Sequence, residues 1–221
     1  VAGLSLGEYS ALVAAGALDF KTAVALVAKR GSFMEEAAPA GSGKMVAVLN
    51  AEVSLIEEVC QEASAIGVVS PANYNTPSQI VIGGEVAAVD KAVELLKDGG
   101  VKRLIPLNVS GPFHTALLKP ASERLAEVLE TVEFSDFVLP LVGNTEATVM
   151  EKERVSELLT RQVMEPVRFY DSIAEMQEAG VTEFIEIGPG KVLSGFIKKI
   201  DKSADVRQVE DVESLNALLE K

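Results

Sequence analysis

The sequence is poor in the residues from which disulfides and metal sites are built. Its 221 residues include one cysteine, one histidine and no tryptophan. A single cysteine excludes an internal disulfide, which fits a reducing compartment, and we expect a cytoplasmic protein. One cysteine and one histidine cannot supply the usual ligands of a zinc site, so no metal is expected. Cys60 lies among Leu55, Ile56 and Val59, which predicts a core side chain rather than a reactive thiol.

Positive charge is also scarce. The 20 lysines and arginines against 33 aspartates and glutamates give a formal net charge of -13, which argues against nucleic-acid binding and against adsorption to an anionic membrane. No apolar run approaches the roughly 20 residues that cross a bilayer as a helix. Hydrophobic residues, in contrast, make up 48% of the chain, enough for a sizeable core in one large domain or two smaller ones.

The most informative stretch comes first in the chain, where residues 3–7 read G-L-S-L-G. G-x-S-x-G is the pattern of a nucleophile elbow, in which a serine lies on a sharp strand-to-helix turn. We expect both glycines to be required, because a side chain at either would clash where the backbone reverses over Ser5. Glu8 then suits the positive end of the following helix, and the amide of Leu6 faces any oxyanion. The alternative is a glycine-flanked turn whose serine has no catalytic role. The motif alone leaves both interpretations open.

The elbow also predicts more chain than is present. It needs a strand before its serine, and only Val1 and Ala2 precede the motif. The chain begins without methionine as well. We therefore expect at least one strand upstream of these residues in the natural protein.

A second candidate residue lies on a predicted helix. Asp19 is placed to cap a helix over residues 20–37. The apolar stripe of this helix, at helical spacing, is Phe20, Ala23, Val24, Val27 and Met34. Arg30 falls on that stripe, and an inward guanidinium must find an anion, because an unpaired buried charge is costly. A structural salt bridge and a substrate carboxylate, which arginine binds bidentately, both remain open.

The third candidate is His114, the only histidine. It follows a glycine and a proline in a loop over residues 110–115. A lone histidine is more often packed or exposed than catalytic. The serine elbow strengthens the catalytic interpretation, since a serine nucleophile needs a base with a pKa near neutrality and no other imidazole is available.

The hydrophobic periodicity changes after a flexible break at residues 40–43. From there on it predicts strand, helix, strand, strand, helix and strand at 45–49, 51–65, 67–74, 79–82, 85–97 and 101–109. This β-α-β-β-α-β order is that of a ferredoxin-like unit. We expect residues 42–110 to form a small inserted domain.

The rest of the chain, residues 1–41 and 111–221, predicts a larger α/β domain. After His114 the expected helices are 119–130, 151–162, 167–178, 192–200 and 212–219, and the expected strands are 138–142, 182–187 and 206–209. Strands that alternate with helices predict a parallel sheet, so the fold class is α/β.

Taken together, five motifs resemble those of malonyl-CoA:acyl carrier protein transacylases in order and approximate spacing. They are G-L-S-L-G-E-Y at 3–9, R-G at 30–31, G-P-F-H at 111–114, R-Q at 161–162 and E-I-G-P-G at 186–190. The likeness covers the whole chain, and it implies a hydrolase-like large domain with an inserted ferredoxin-like small domain. Leu4 departs from the family, in which many members have histidine, and this leaves the fine acyl selectivity open.

The resemblance implies a role for each candidate. Ser5 is the nucleophile, His114 is the general base, and the backbone carbonyl of Gln162 takes the third place of the triad. The amide of Leu6 supplies half of the oxyanion hole, and Arg30 binds the free carboxylate of a malonyl group. The other half of the oxyanion hole comes from a glutamine in an upstream Gly-Gln-Gly turn. The upstream segment would have about 60 to 90 residues if it consists of two βα units of about 30 residues each.

The implied reaction is a ping-pong transfer of malonyl from malonyl-CoA, through an ester on Ser5, to the phosphopantetheine thiol of acyl carrier protein in fatty acid biosynthesis. No cofactor is implied beyond these substrates, and a monomer is expected. Phe113 resembles the bulky residue of malonyl-selective enzymes, with plain core packing as its alternative. Because carrier proteins are acidic, as this chain is, docking requires a local basic patch. Its candidates are Lys102, Arg103, Lys198 and Lys199, with solvated lysines as the alternative.

Two other functions remain open. A serine hydrolase of the α/β-hydrolase type shares the elbow, but it requires an acidic residue between serine and histidine and a histidine near the C-terminus. Here over a hundred residues follow His114. An inactive fragment that only binds carrier protein is the second alternative, because the expected upstream strand is not in this chain.

Overall fold

The computed structural model describes residues 1–220, which form a mixed α/β fold. The helices are α1 (Leu6–Ala14), α2 (Phe20–Ala37), α3 (Val53–Ala63), α4 (Val86–Asp98), α5 (Lys119–Leu129), α6 (Val155–Gln162), α7 (Phe169–Glu178), α8 (Val192–Ile200) and α9 (Val212–Leu219). The strands are β1 (Lys44–Leu49), β2 (Val69–Thr76), β3 (Gln79–Gly84), β4 (Arg103–Pro106), β5 (Glu183–Ile187) and β6 (Asp205–Val209). The chain divides into two compact units, Val1–Ser172 and the residues from Ile173 onward.

The N-terminal motif forms a turn that leads at once into α1. Ser5 is the residue before the helix, with φ 52° and ψ -102°, a conformation that costs energy for any residue but glycine. A Cβ on Gly3 would lie 2.0 Å from the carbonyl oxygen of Gly7, so the backbone can pass there only without a side chain. A Cβ on Gly7 would meet nothing within 4 Å. The expectation that both glycines are required is therefore wrong for Gly7.

Helix α2 begins and ends where the sequence predicts. Asp19 accepts a hydrogen bond from the amide of Thr22 at 3.1 Å, which satisfies one of the free donors of the first turn. The buried residues of the helix are Ala23, Leu26, Arg30 and Met34. The predicted stripe is wrong at Phe20 and Val24, which are exposed, because the buried face is turned toward Leu26.

Residues 44–106 form an antiparallel sheet of four strands in the order β2-β3-β1-β4. The apolar faces of α3 and α4 share one core with these strands. Cys60 lies in that core with 3% of its surface exposed, as predicted, and burial raises the pKa of its thiol to about 12. The predicted domain limits at residues 42 and 110 stay predictions.

A second core joins α1, α2, α5 and α6. Its fully buried members include Leu12, Leu118, Leu125 and Leu159. Burial of a leucine side chain is favourable by about 1.5–3 kcal/mol, so this core fixes the helices firmly. It holds the start of α1, the middle of α2 and the end of α6 beside one another.

The strand predicted over residues 138–142 is wrong. Val142 makes only a single bridge, to Val149, and Val138 is exposed. Pro140 has no N–H to give to a ladder, and its carbonyl accepts from the amino group of Val1 at 2.6 Å. The helix predicted over 151–162 is also shorter, since it begins at Val155 after a 3₁₀ turn.

In the second unit, β5 and β6 pair in parallel, with Glu183 opposite Asp205 and Ile187 opposite Val209. The predicted parallel pairing is found in these two strands. The G-P-G turn after β5 leads into α8, whose first amides are satisfied from β5: the carboxylate of Glu186 accepts from Leu193 N at 3.1 Å and Ser194 N at 2.7 Å. No helix within residues 1–220 is long and apolar enough to cross a bilayer.

Candidate active site

Ser5 and His114 meet although 109 residues separate them in the chain. The Nε2 atom of His114 lies 2.8 Å from the Oγ atom of Ser5. The other ring nitrogen, Nδ1, lies 2.7 Å from the backbone carbonyl oxygen of Gln162. Because a carbonyl only accepts, Nδ1 carries the ring proton and donates to Gln162, which leaves Nε2 to accept from the serine hydroxyl.

The surroundings of His114 keep its ring neutral. The pKa of His114 is lowered to about 4, mainly by burial and also by the positive charge of Arg30, against the hydrogen bond to the Gln162 carbonyl. At neutral pH the ring therefore carries no charge. It is ready to take a proton from Ser5 without first losing one.

Arg30 points into the same site from the buried face of α2. Its Nη2 atom donates to Ser5 Oγ at 3.0 Å and to Gln162 Oε1 at 3.0 Å. The guanidinium carbon lies 5.5 Å from the centre of the Tyr9 ring. The Nε atom is buried and has no hydrogen-bond partner in the described part of the chain. A buried cation with an unused donor favours an anion from outside the protein over a structural salt bridge.

A cavity of about 520 Å³ opens beside Ser5. Leu6, Met34 and Phe113 are among its apolar lining residues, and Arg30 supplies the positive charge. Phe113 is half-buried and also packs against the core of the first unit. Its role in acyl selectivity stays a prediction. Leu6 is the first residue of α1, and 52% of its surface is exposed. That its backbone amide donates to an oxyanion stays a prediction.

None of the four basic docking candidates is among the residues that line this cavity. Lys102 and Arg103 are exposed at the start of β4. Lys198 and Lys199 are on the last turn of α8, and Lys198 Nζ donates to the carbonyl of Ala204 at 2.5 Å. Their role in docking stays a prediction.

The sequence as a whole matches the family model of the acyl transferase domain over residues 1–218. The chain belongs to the acyl transferase domain family. A malonyl CoA-acyl carrier protein transacylase of Bacillus subtilis is 50% identical to this acyl transferase domain over an alignment of 221 positions, which covers 99% of this chain and 70% of that protein.

Solved structures agree with this assignment of the acyl transferase domain. The crystal structure of MCAT from Streptococcus pneumoniae has 74% sequence identity and a TM-score of 0.98, and the match covers 100% of this chain and 72% of that one. A second structure, a type II PKS acyl-carrier protein in complex with its malonyl-transacylase, has 44% identity and a TM-score of 0.95 over 99% of this chain and 71% of that one.

Sequence reasoning missed two buried polar residues of the acyl transferase domain. Asn144 Oδ1 accepts from the amide of Ser5 at 2.6 Å across 139 residues, and no local pattern announces that contact. Glu8 was assigned only to the helix dipole, yet it is 1% exposed. Its spacing from Leu12 and Ala15 places it on the inward face of α1, and this was the available signal.

Proposed function

We propose that this acyltransferase moves the malonyl group of malonyl-CoA to the phosphopantetheine thiol of acyl carrier protein, as a step of fatty acid biosynthesis. The observation that carries the proposal is the buried guanidinium of Arg30, 3.0 Å from the hydroxyl of Ser5. An acyl group on Ser5 that ends in a carboxylate brings the anion that Arg30 requires. An uncharged acyl group leaves the guanidinium unpaired.

In the first half of the reaction, Ser5 Oγ attacks the thioester carbonyl of malonyl-CoA while His114 Nε2 takes the hydroxyl proton. The carbonyl of Gln162 holds the imidazolium that forms, through Nδ1–H, in the place where other triads use a carboxylate. The tetrahedral oxyanion accepts from the amide of Leu6. The C–S bond then breaks, the proton on His114 passes to the CoA sulfur, and a malonyl-serine ester remains.

In the second half, the thiol of the carrier protein gives its proton to His114 and attacks the ester carbonyl. The C–O bond breaks, and Ser5 Oγ regains a proton from the ring. Arg30 holds the malonyl carboxylate through both halves, so that the ester carbonyl stays oriented toward the thiol. Phe113 at the cavity wall crowds an α-methyl branch and so favours malonyl. The reaction needs no cofactor, because the two substrates and these side chains account for every bond and proton.

The same proposal covers the architecture. Residues 42–110 are a ferredoxin-like small domain, supported by the element order and by the strand order β2-β3-β1-β4. Residues 1–41 and 111–221 belong to a hydrolase-like large domain. The protein acts as a monomer in the cytoplasm, which its single buried thiol suits. Carrier protein docks on exposed basic side chains, with Lys102, Arg103, Lys198 and Lys199 as candidates.

The test is acyl-enzyme formation in the protein that contains this chain. Mixing it with malonyl-CoA should release one equivalent of CoA in a burst and leave a malonyl ester on Ser5, detected by peptide mass spectrometry. Water should discharge the ester slowly and carrier-protein thiol should discharge it fast. The S5A variant should form no ester and remain folded.

The remaining functions predict other outcomes. Rapid discharge by water would identify a serine hydrolase instead of a transferase. Absence of any ester on Ser5 in the folded protein would leave only carrier binding, and the proposed function would be wrong.

A further inference from the structure

Glu8 is a fully buried ionisable side chain that the proposed reaction does not use. It lies three residues after Ser5 with 1% of its surface exposed. Its Oε1 atom accepts from the amide of Asn144 at 2.8 Å, and its Oε2 atom accepts from Nε2 of Gln162. Both oxygens therefore face N–H donors. This arrangement suits a carboxylate, because a carboxylic acid would turn an O–H toward one of the two donors.

One of these donors, Nε2 of Gln162, belongs to the residue that joins the reacting groups. Gln162 is 0% exposed, and its Oε1 atom accepts from Arg30 at 3.0 Å. Its Nε2 atom donates to the carbonyl of Ser5 at 3.0 Å as well as to Glu8. Its backbone carbonyl accepts from His114. The side-chain amide of Gln162 thus contacts Arg30 and the backbone of Ser5, and its backbone carbonyl contacts His114. Glu8 favours this orientation of the amide by accepting from its nitrogen.

The other donor is the backbone amide of Asn144, whose side chain holds the turn at Ser5 like a clamp. Asn144 Oδ1 accepts from Ser5 N at 2.6 Å, and Asn144 Nδ2 donates to the carbonyl of Gly3 at 2.6 Å. Both bonds hold the backbone just before the N–Cα bond of Ser5, whose positive φ must be held by its surroundings. Glu8 anchors the backbone of Asn144 and so the base of this clamp.

We propose that Glu8 is a positioning residue that holds the reacting geometry of the site through Gln162 and Asn144. The inference rests on the proposed function. The carboxylate form offers both oxygens as strong acceptors, whereas protonation of Glu8 leaves a weak hydroxyl acceptor at one of them and so weakens one side of the network.

Among the described residues, three have ionisable groups that act on Glu8 or contact its partner Gln162. They are the guanidinium of Arg30 on α2, the hydroxyl of Tyr9 on α1 and the ring of His114 beyond Gln162. Burial is the largest influence on Glu8 and raises the pKa of its carboxyl to about 7, against the hydrogen bonds from Asn144 and Gln162 and the charge of Arg30. The network therefore switches within the neutral range, separately from His114, whose pKa is lowered to about 4.

The experiment measures the single-turnover rate of acylation by saturating malonyl-CoA between pH 5.5 and 8.5. It compares the native protein with a variant that carries one substitution at Glu8. Glu8→Gln keeps the shape but turns an NH₂ toward one of the two donors. We expect the rate at pH 8 to fall about 10- to 100-fold, the scale on which small misplacements act. We also expect an ionisation near pH 7 in the native protein that E8Q lacks. The matched control is E127Q, which removes the same charge from the exposed face of α5 and should follow the native profile.

Three outcomes would overturn the inference. The first is a native profile with no ionisation near pH 7, a result that does not depend on any variant folding. The second is an E8Q profile that keeps this ionisation, and the third is an E8Q rate equal to that of the native protein. If S5A abolishes acylation while E8Q behaves as native, the proposed function stands and only the role of Glu8 fails. If S5A still forms the ester, the proposed function itself fails.

Discussion

Arg30 is the side chain whose surroundings say most about the substrate. It is 6% exposed, and its hydrogen bonds go to the neutral oxygens of Ser5 and Gln162. Neutral acceptors compensate a buried cation less well than a carboxylate does. The buried charge of Glu8 interacts with Arg30, but among the described residues no carboxylate is hydrogen-bonded to the guanidinium, and a substrate anion in the cavity supplies one.

Removing this charge should change which acyl group is accepted. We expect Arg30→Ala to slow acylation by malonyl-CoA about 10- to 100-fold, because a hydrogen bond to a charged group contributes about 1.5–3 kcal/mol. Acylation by acetyl-CoA, which has no free carboxylate, should fall much less. Stopped-flow rates with both thioesters measure the ratio. Lys29→Ala removes a charge from the exposed side of the same helix and serves as the control, whereas equal losses for both substrates would contradict the carboxylate role.

At the scale of elements, two helix ends build the site. Gln162 is the last residue of α6, where backbone carbonyls have no partner within the helix. Its carbonyl is therefore free to accept from His114, and a helix terminus does the work of a triad carboxylate. The start of α1 supplies the nucleophile in the same way, since Ser5 immediately precedes the first helical residue.

The elbow at the start of α1 gives a matched pair of variants. Gly3→Ala would place a methyl group 2.0 Å from the Gly7 carbonyl oxygen, so we expect the free energy of unfolding to fall by about 3 kcal/mol and the acylation burst to be lost. Gly7→Ala meets open space inside a helix, where alanine is favoured over glycine by up to about 1 kcal/mol. It should leave stability unchanged or raise it. Denaturant unfolding checks both, and a tolerated Gly3→Ala would show that the turn differs from the one described.

At the scale of the whole molecule, two buried groups of the site make the free energy of unfolding depend on pH, in opposite directions. His114 has a pKa of about 4 in the fold against 6.5 unfolded, so its contribution to stability is present above pH 6.5 and is lost as the pH falls toward 4. Glu8 has a pKa of about 7 against 4.5, so its contribution is present below pH 4.5 and is lost as the pH rises toward 7. The two slopes oppose each other between pH 4.5 and 6.5.

Single substitutions should separate these slopes. Relative to the native protein, His114→Asn should lose stability as the pH rises from 4.5 to 6.5, and Glu8→Gln should gain it, each by about 1 kcal/mol per pH unit. Asparagine suits position 114 because it tolerates the positive φ found there. Urea unfolding at several pH values measures the differences, which cancel the contributions of all other groups. Parallel curves for the two variants would show that these groups do not titrate as described.

Interactions between residues close together in the chain allowed many helices, strands and site residues to be predicted from the sequence. The cap at Asp19, the strand–helix alternation after residue 43 and the inward position of Arg30 all follow from spacings within one or two turns. The resemblance to a family added Gln162, which no local pattern marks. The prediction failed where it depended on distant neighbours. Residues 138–142 are partly apolar but pair with no strand among residues 1–220, and a Cβ on Gly7 would have no neighbour within 4 Å.

The sequence by itself determined the serine turn and the helices around it. It also showed that His114 is the only histidine that could act as the base. Only the tertiary structure decided that Ser5 Oγ lies 2.8 Å from that ring, and that Gln162, 157 residues further on, donates to the Ser5 carbonyl. The physical reason is range. Periodicity and capping act between residues a few positions apart, whereas a hydrogen bond between distant residues requires a geometry within a few tenths of an ångström that only the packed core between them sets.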